Sequence, residues 1–193
     1  MGKVLLDISI SIDGIMASKD NYRLHRWYFS ENDGIATQIV NELIETTGAV
    51  IMGRNTFALG HEFDGFVNNP YQVPHIILTH AVPPFTPRGD TEFIYATDGI
   101  EIALGQAKAA AGGKNVVVTG GVDTARQFLH GRYLDEIQLH VVPVMLGRGK
   151  RLFEQEQDHP NQQEWQCVSV QQSSDTVHLR YRAKSLNRRG EEE

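Results

Sequence analysis

Asn115-Val116-Val117-Val118-Thr119-Gly120-Gly121-Val122-Asp123-Thr124-Ala125-Arg126-Gln127-Phe128-Leu129-His130 carries three signals in succession. Three consecutive valines are apolar and β-branched, the composition of a strand covered on both faces. The glycine pair ends that run, and Ala125, Phe128 and Leu129 then share one face of a helix predicted over about 122–130. Strand, glycine turn and helix in this order form the working unit of an α/β sheet. Glycine has no Cβ, and the first amides of the helix point at whatever rests on the turn, so a phosphate fits there. The same pair also makes a plain tight turn, and taken alone it supports either reading.

Working outward, the pattern recurs where Ala49 to Met52, a short buried strand, runs into Gly53-Arg54-Asn55-Thr56. This loop adds a permanently charged guanidinium fork, suited to phosphate oxygens, and a threonine hydroxyl. An arginine at a helix start with nothing to pair is the plain alternative. Two such loops at carboxyl ends of predicted strands point to a ligand with several phosphates, because open α/β sheets bind ligands at that edge.

From Val4 to Ile12 apolar even positions alternate with Asp7, Ser9 and Ser11, which predicts a first strand ending at Asp13-Gly14. Ile35, Ile39 and Leu43, with Ala36, Val40 and Ile44 beside them, give an amphipathic helix that Gly48 is placed to stop. His75 to Thr79 and Thr91 to Tyr95 read as strands, and Asp98 is positioned to cap a helix from Gly99 through Ala111. Leu134 to Met145 reads as a long strand interrupted at Pro143. A hairpin follows, with Trp165 to Gln171 and Val177 to Ala183 joined through Ser173-Ser174-Asp175. Residues 1–186 thus read as a single α/β domain with a mainly parallel sheet and antiparallel additions at one side, and residues 187–193 as a polar tail.

Composition narrows the function classes. The 193 residues carry 18 Lys plus Arg against 24 Asp plus Glu, a net charge of −6, which disfavours a basic face for nucleic acid. The single cysteine, Cys167, rules out an internal disulfide and a cysteine-rich zinc cluster. No apolar run reaches the roughly 18 residues of a membrane span, and the N-terminus turns polar too soon for a signal peptide, so a cytoplasmic protein is expected. The eight histidines lack metal-ligand spacing, and no Gly-x-Ser-x-Gly occurs. Gly147-Arg148-Gly149-Lys150 fails the P-loop pattern because Val144 stands where its first glycine belongs.

Several segments, in order, carry a family resemblance: Ser11-Ile12-Asp13-Gly14, Leu24-His25-Arg26-Trp27, residues 47–57, Val118-Thr119-Gly120-Gly121, residues 135–149 and Arg151-Leu152-Phe153. From about Lys3 to Lys184 the chain resembles the dihydrofolate reductase-like family. Within it, the similarity is to the branch of the C-terminal reductase domain of the bifunctional riboflavin biosynthesis deaminase-reductase. The resemblance implies a three-layer α/β/α dihydrofolate reductase-like fold, with a mixed, mainly parallel central sheet and a C-terminal β-hairpin. It also implies a homodimer, with the 134–146 strand and Gly147-Arg148-Gly149 as a candidate dimer element, and NADPH at the carboxyl edge. Carried over residue by residue, Gly53, Arg54, Asn55 and Thr56 would hold the adenosine 2′-phosphate and pyrophosphate, with Thr79 and His80 near the same end. Gly120, Gly121, Val122 and Thr124 would lie against the pyrophosphate, and Ile15 and Ala17 would reach the nicotinamide amide.

The sequence also departs from the family. It lacks the His-x-Glu and Pro-Cys-x-x-Cys pair of the deaminase half, so zinc deamination is not expected. Val118 stands where riboflavin-pathway reductases carry a glutamate. Glu31 and Asp33 are the carboxylates near the position of the dihydrofolate reductase acid, without its sequence context. Asp13 is either a turn former with Gly14 or the catalytic group, orienting substrate or relaying a proton, while Met16 and Trp27 are assigned to the substrate pocket wall. The expected activity is an NADPH-dependent reductase delivering hydride to a C=N or C=O bond of a small heterocycle, similar to the 5-amino-6-(5-phosphoribosylamino)uracil reductase domain. A dihydrofolate or pteridine reductase and a non-catalytic dimeric NADPH-binding module are the alternatives.

Overall fold

The computed structural model describes residues 2–18, 24, 34–153 and 163–184. In chain order its elements are β1 (Val4–Ser11), β2 (Ile15–Ser18), α1 (Gly34–Thr46), β3 (Thr47–Gly53), α2 (Arg54–Phe63), β4 (His75–Leu78) and β5 (Phe93–Ala96). There follow α3 (Ile100–Ala110), β6 (Asn115–Val118), α4 (Val122–His130), β7 (Glu136–Val142), β8 (Gly149–Arg151), β9 (Trp165–Ser173) and β10 (Thr176–Ala183).

The valine run is fully covered because β6 lies in the middle of an eight-stranded sheet of order β5-β4-β3-β6-β1-β7-β10-β9. Pairings from β5 across to β7 are parallel, and those of β7 with β10 and β10 with β9 are antiparallel. Alternate residues serve opposite faces. Leu6, Ile8, Ile51 and Val118 meet Ala103, Ala107, Ala125 and Phe128 of α3 and α4. On the other face Leu5 and Val117 meet Ile39 and Leu43 of α1, while Val50, Met52 and Ile77 surround Phe57 of α2. The result is the three-layer dihydrofolate reductase-like arrangement, a mixed, mostly parallel sheet between helices with a C-terminal hairpin. Phe57 and Phe128 are completely buried. Truncating either would cost about 3–5 kcal/mol, so the two helices that start at the glycine loops are firmly anchored.

Several boundaries differ from expectation for local reasons. Gly48 does not stop α1. The helix ends where Thr46 and Thr47 hydroxyls bond back to the carbonyls of Glu42 and Leu43 at 2.7 and 2.5 Å, and Gly48 already belongs to β3. There a side chain would strike the Ala111 carbonyl, 2.3 Å from the Cβ position, so the glycine serves close packing. Asp98 does not cap α3; the N-cap is Gly99, at φ 96°, with no side-chain cap bond. The expected 134–145 strand contracts to Glu136–Val142, since beyond Pro143 the chain folds back through a Val144 amide to Val142 carbonyl bond. Two strands escaped the sequence pattern: β2 and β8 pair antiparallel as a separate ribbon, too short to show a period. The polar tail, like Trp27, Glu31 and Asp33, lies outside the described residues.

Candidate functional site

Parallel β3 and β6 are in register, Ile51 beside Val118, so the segments leaving their carboxyl ends emerge together. The Gly53 amide donates to the Gly120 carbonyl at 2.7 Å. A Cβ on Gly53 would stand 2.5 Å from Thr124 Oγ1 and 3.2 Å from the Gly121 amide nitrogen. Only glycine permits that approach. The Gly120–Gly121 peptide is cis, and a Cβ on Gly121 would sit 3.4 Å from Thr56 Oγ1. The two phosphate-type loops inferred from the sequence are therefore one continuous feature.

Gly53 and Gly121 are also the N-caps of α2 and α4, and neither helix start has a side-chain cap. Two sets of first-turn amides and two positive dipole ends thus converge. The first turn of α2 contains no acid. In α4 Asp123 is paired with Lys150 at 2.9 Å. Arg54, the first residue of α2, is exposed and makes no ion pair with any described residue, and Asn55 beside it is exposed as well. Such a cradle suits a multiply charged anion.

The other sequence-selected residues divide between contact and support. Thr79 follows β4 at the same edge, but it is buried and its hydroxyl donates to the Ala81 carbonyl at 2.8 Å, which shapes the turn; His80 beside it is exposed. Val122 and Thr124 are buried, so Thr124 acts by packing its hydroxyl on Gly53. Ile15 is buried and its amide donates to Ser11 Oγ at 2.9 Å, whereas Ala17 is exposed. Both lie on β2, which β8 holds through the Ile15–Arg151 and Ala17–Lys150 pairs. Met16 leans over the glycine turn, its Cε 2.7 Å from where a Gly120 Cβ would be.

Asp13 takes the turn-forming role. Its carboxylate accepts from the Ser11 hydroxyl at 2.6 Å and from the Leu146 and Gly147 amides at 3.1 and 2.8 Å. The Ser11 hydroxyl first, then those amides, hold its pKa down to about 2. A carboxylate so engaged fastens the loop after β1 to the loop after β7, and near neutrality it has no proton to relay. Arg151 adds a bond to the Asp13 carbonyl. The sequence marks this arginine only as part of the Arg151-Leu152-Phe153 segment, without a role, and it gives no sign of two polar groups in the interior, buried Asp7 and partly buried Tyr71. Asp7, a polar position in the alternation of β1, is only 8% exposed. Tyr71 lies beside it; burial, and then the nearby Asp7 charge, push the phenol pKa up.

Among the described residues no group of three or more potential ligands could hold a metal ion, and no helix is long and apolar enough to cross a membrane. The model of the RibD C-terminal domain family matches residues 2–179. Among solved structures, a candidate riboflavin biosynthesis protein from Shewanella sp. PV-4 superposes with a TM-score of 0.76 at 22% identity, covering 95% of this chain and 99% of that one. The diaminohydroxyphosphoribosylaminopyrimidine deaminase/5-amino-6-(5-phosphoribosylamino)uracil reductase of Thermotoga maritima gives 0.68 at 15% identity, covering 95% of this chain and 57% of that one. Dihydrofolate reductase from Enterococcus faecalis, in complex with NADP(H), gives 0.61 at 14% identity over 95% and 98% of the two chains.

Proposed function

The chain belongs to the RibD C-terminal domain family, and from that premise we propose that it is a riboflavin-pathway-like reductase that uses NADPH to reduce a C=N or C=O bond of a small heterocycle. The observation that carries this reading is the 2.7 Å bond from Gly53 to Gly120, which joins two uncapped helix starts beside Arg54, an arginine with no ion pair among the described residues. The residues present fit the cofactor. An acid-free first turn on α2, a glycine cradle and an exposed guanidinium match a dinucleotide with an additional phosphate. The E. faecalis enzyme of the same fold is complexed with NADP(H), which supports the same choice.

When bound, the nicotinamide supplies the hydride, and the protein contributes orientation and electrostatics. Arg54 and Thr56 would hold the 2′-phosphate end, with Asn55 and His80 alongside. The amides of Gly121 and Val122 would face the pyrophosphate. The backbone of Ile15 and Ala17, fixed by β8, would hold the carboxamide, and Met16 would close the wall over Gly120. Asp13 positions these parts by tying the β1 loop to residues 146–147. Holding the reacting atoms in this way accounts for much of the rate enhancement such sites deliver. Titrating NADPH into the protein in a calorimeter should give saturable binding tighter than NADH; absence of binding would end the proposal.

A homodimer is part of the same reading. Within the 134–146 segment β7 cannot offer an edge, because it is paired on both sides, with β1 and β10. Among the described residues the sheet ends in β5 and β9, and of these β9 exposes Val168 and Val170. Self-pairing there would bury an edge that proteins otherwise protect. Light scattering should give about twice 21.6 kDa, and Val170→Lys should return a monomer; a monomeric native protein would refute the pairing. The setting proposed is cytoplasmic.

A further inference from the structure

A chain of buried polar groups crosses the sheet perpendicular to its strands, next to the site but outside the cofactor cradle. Asp7 Oδ1 lies 2.9 Å from His140 Nε2, His140 Nδ1 lies 2.6 Å from His178 Nδ1, and His178 Nε2 lies 2.5 Å from Ser173 Oγ. The four residues come from β1, β7, β10 and β9 and are 8%, 1%, 2% and 3% exposed. All stand on the face covered by α1, since Leu5, two residues before Asp7, packs on Ile39 and Leu43. Burying this many polar groups is costly unless each is satisfied.

Both ends of the chain lead somewhere. Ser173 borders the exposed hairpin turn at Ser174 and Asp175, and His178 lines a cavity of about 240 Å³ between α1 and the hairpin. At the opposite end the Leu6–Val118 pairing sets Asp7 level with Thr119, one residue before the Gly120–Gly121 turn. One terminus borders the exposed hairpin turn, and the other stands on β1 level with the residue that leads into the glycine turn.

The heavy atoms support two complete proton arrangements. In the first, the Ser173 hydroxyl donates to His178, His178 Nδ1–H donates to His140, and His140 Nε2–H donates to an ionised Asp7. In the second, every bond is reversed: a protonated Asp7 donates to His140, His140 Nδ1–H donates to His178, and His178 Nε2–H donates to Ser173, whose own proton has turned away. Both arrangements satisfy all four groups, and they differ by one proton. A proton entering beside Ser173 therefore appears on Asp7 without creating a buried imidazolium.

We propose that this chain is a proton relay and that Asp7 is the acid that protonates the substrate as it is reduced, an inference that rests on the reductase reading above. For a C=N substrate, a bound nicotinamide would supply the hydride to carbon, and the π pair would become a lone pair on nitrogen. That nitrogen takes its proton from Asp7, and His140, His178 and Ser173 return one from solvent. Asp7 thereby takes the role that the sequence alone had suggested for Asp13. The charged and titratable groups facing the relay are Tyr71 beside Asp7, Glu136 on β7, Arg180 and Arg182 on β10, Glu42 on α1, and Lys3. The three cations are already engaged by Glu136 and Glu42.

Nitrogen-15 NMR of histidine-labelled protein without cofactor tests the relay directly, because it distinguishes the two neutral tautomers. As pH falls, His140 and His178 should exchange tautomers together at one midpoint, and Asp7→Asn, which has no proton to take up, should abolish that exchange and leave the pair in one arrangement at every pH. In turnover Asp7→Asn should lower kcat at least about 100-fold and remove the basic limb of the pH profile, with NADPH affinity unchanged. Ser173→Ala should lower kcat and enlarge the solvent isotope effect with KM constant. Two histidines that ionise independently, or an Asp7→Asn variant that turns over at the native rate with the native profile, would overturn the relay. Failure of NADPH to bind would instead remove the reductase reading, while the tautomer exchange would still report on the relay itself.

Discussion

Replacing Arg54 by alanine should discriminate between two nucleotides that differ by one phosphate. Arg54 is exposed at the first position of α2 and has no ion-pair partner among the described residues, so stability should shift by no more than about 0.5 kcal/mol. Its guanidinium is assigned to the 2′-phosphate, a group that NADPH carries and NADH lacks. A hydrogen bond to a charged group contributes about 1.5–3 kcal/mol. At about 1.4 kcal/mol per factor of ten, Arg54→Ala should weaken NADPH about 10- to 150-fold and leave NADH nearly untouched. Arg54→Lys should recover part of the loss, since an ammonium restores the charge but not the planar fork. Because the contact is at the surface, the NADPH preference of the native protein should also shrink as ionic strength rises. Calorimetric titration of both nucleotides into native protein and both variants, with a thermal melt of each, provides the measurement. Equal losses for NADPH and NADH in a variant that melts normally would refute the assignment.

Gly53→Ala should push Thr124 and the Gly121 amide away from β3, costing about 1–3 kcal/mol in urea melts and abolishing NADPH binding; retained binding would show that the two loops need not touch. Glu136→Gln removes the anion shared by Lys3, Arg180 and Arg182 and should cost about 1–3 kcal/mol, towards the lower end because Lys3 and Arg182 are half exposed. Burial alone would raise the Glu136 pKa, but the bonds from Lys3, Arg182 and Arg180 outweigh it and the net shift is downward. The stabilisation is therefore fully present above the ordinary glutamate value of about 4.3 and is lost as pH falls through the lower folded value. Native and variant melts should accordingly differ at pH 7 and converge in strong acid, and a constant difference would contradict the linkage. Asp13→Asn replaces a carboxylate held near a pKa of about 2, so it should raise KM for cofactor without altering the pH profile between 5 and 9; a changed profile would return Asp13 to the chemistry.

Local chemistry made the cofactor side of the site legible. Gly53 and Gly120 announce themselves because the absence of a Cβ next to a buried strand has few other uses, and parallel strand order then brings the two loops together at one edge. Arg54 needed only its position at a helix start. The proposed relay was not legible, because its geometry is made by pairing over long stretches of chain. Asp7 and His140 are 133 residues apart in sequence and meet only through the register of β1 with β7, and His178 joins them only through the antiparallel return of β10. The alternation of β1 predicts a strand but does not say where its odd positions end up. Polar residues at every second position reach water only in a sheet with one wet face. β1 lies between β6 and β7 with helices on both sides, so Asp7 and Ser11 are buried despite their polarity. A period-two pattern in a strand that the topology makes central therefore carries a second message: its polar residues must find partners inside the protein. Asp13, chosen for its place in a motif, proves to have its carboxylate saturated by loop amides. Asp7, with no motif at all, keeps one oxygen on a histidine, and that contact is where the proposed relay begins.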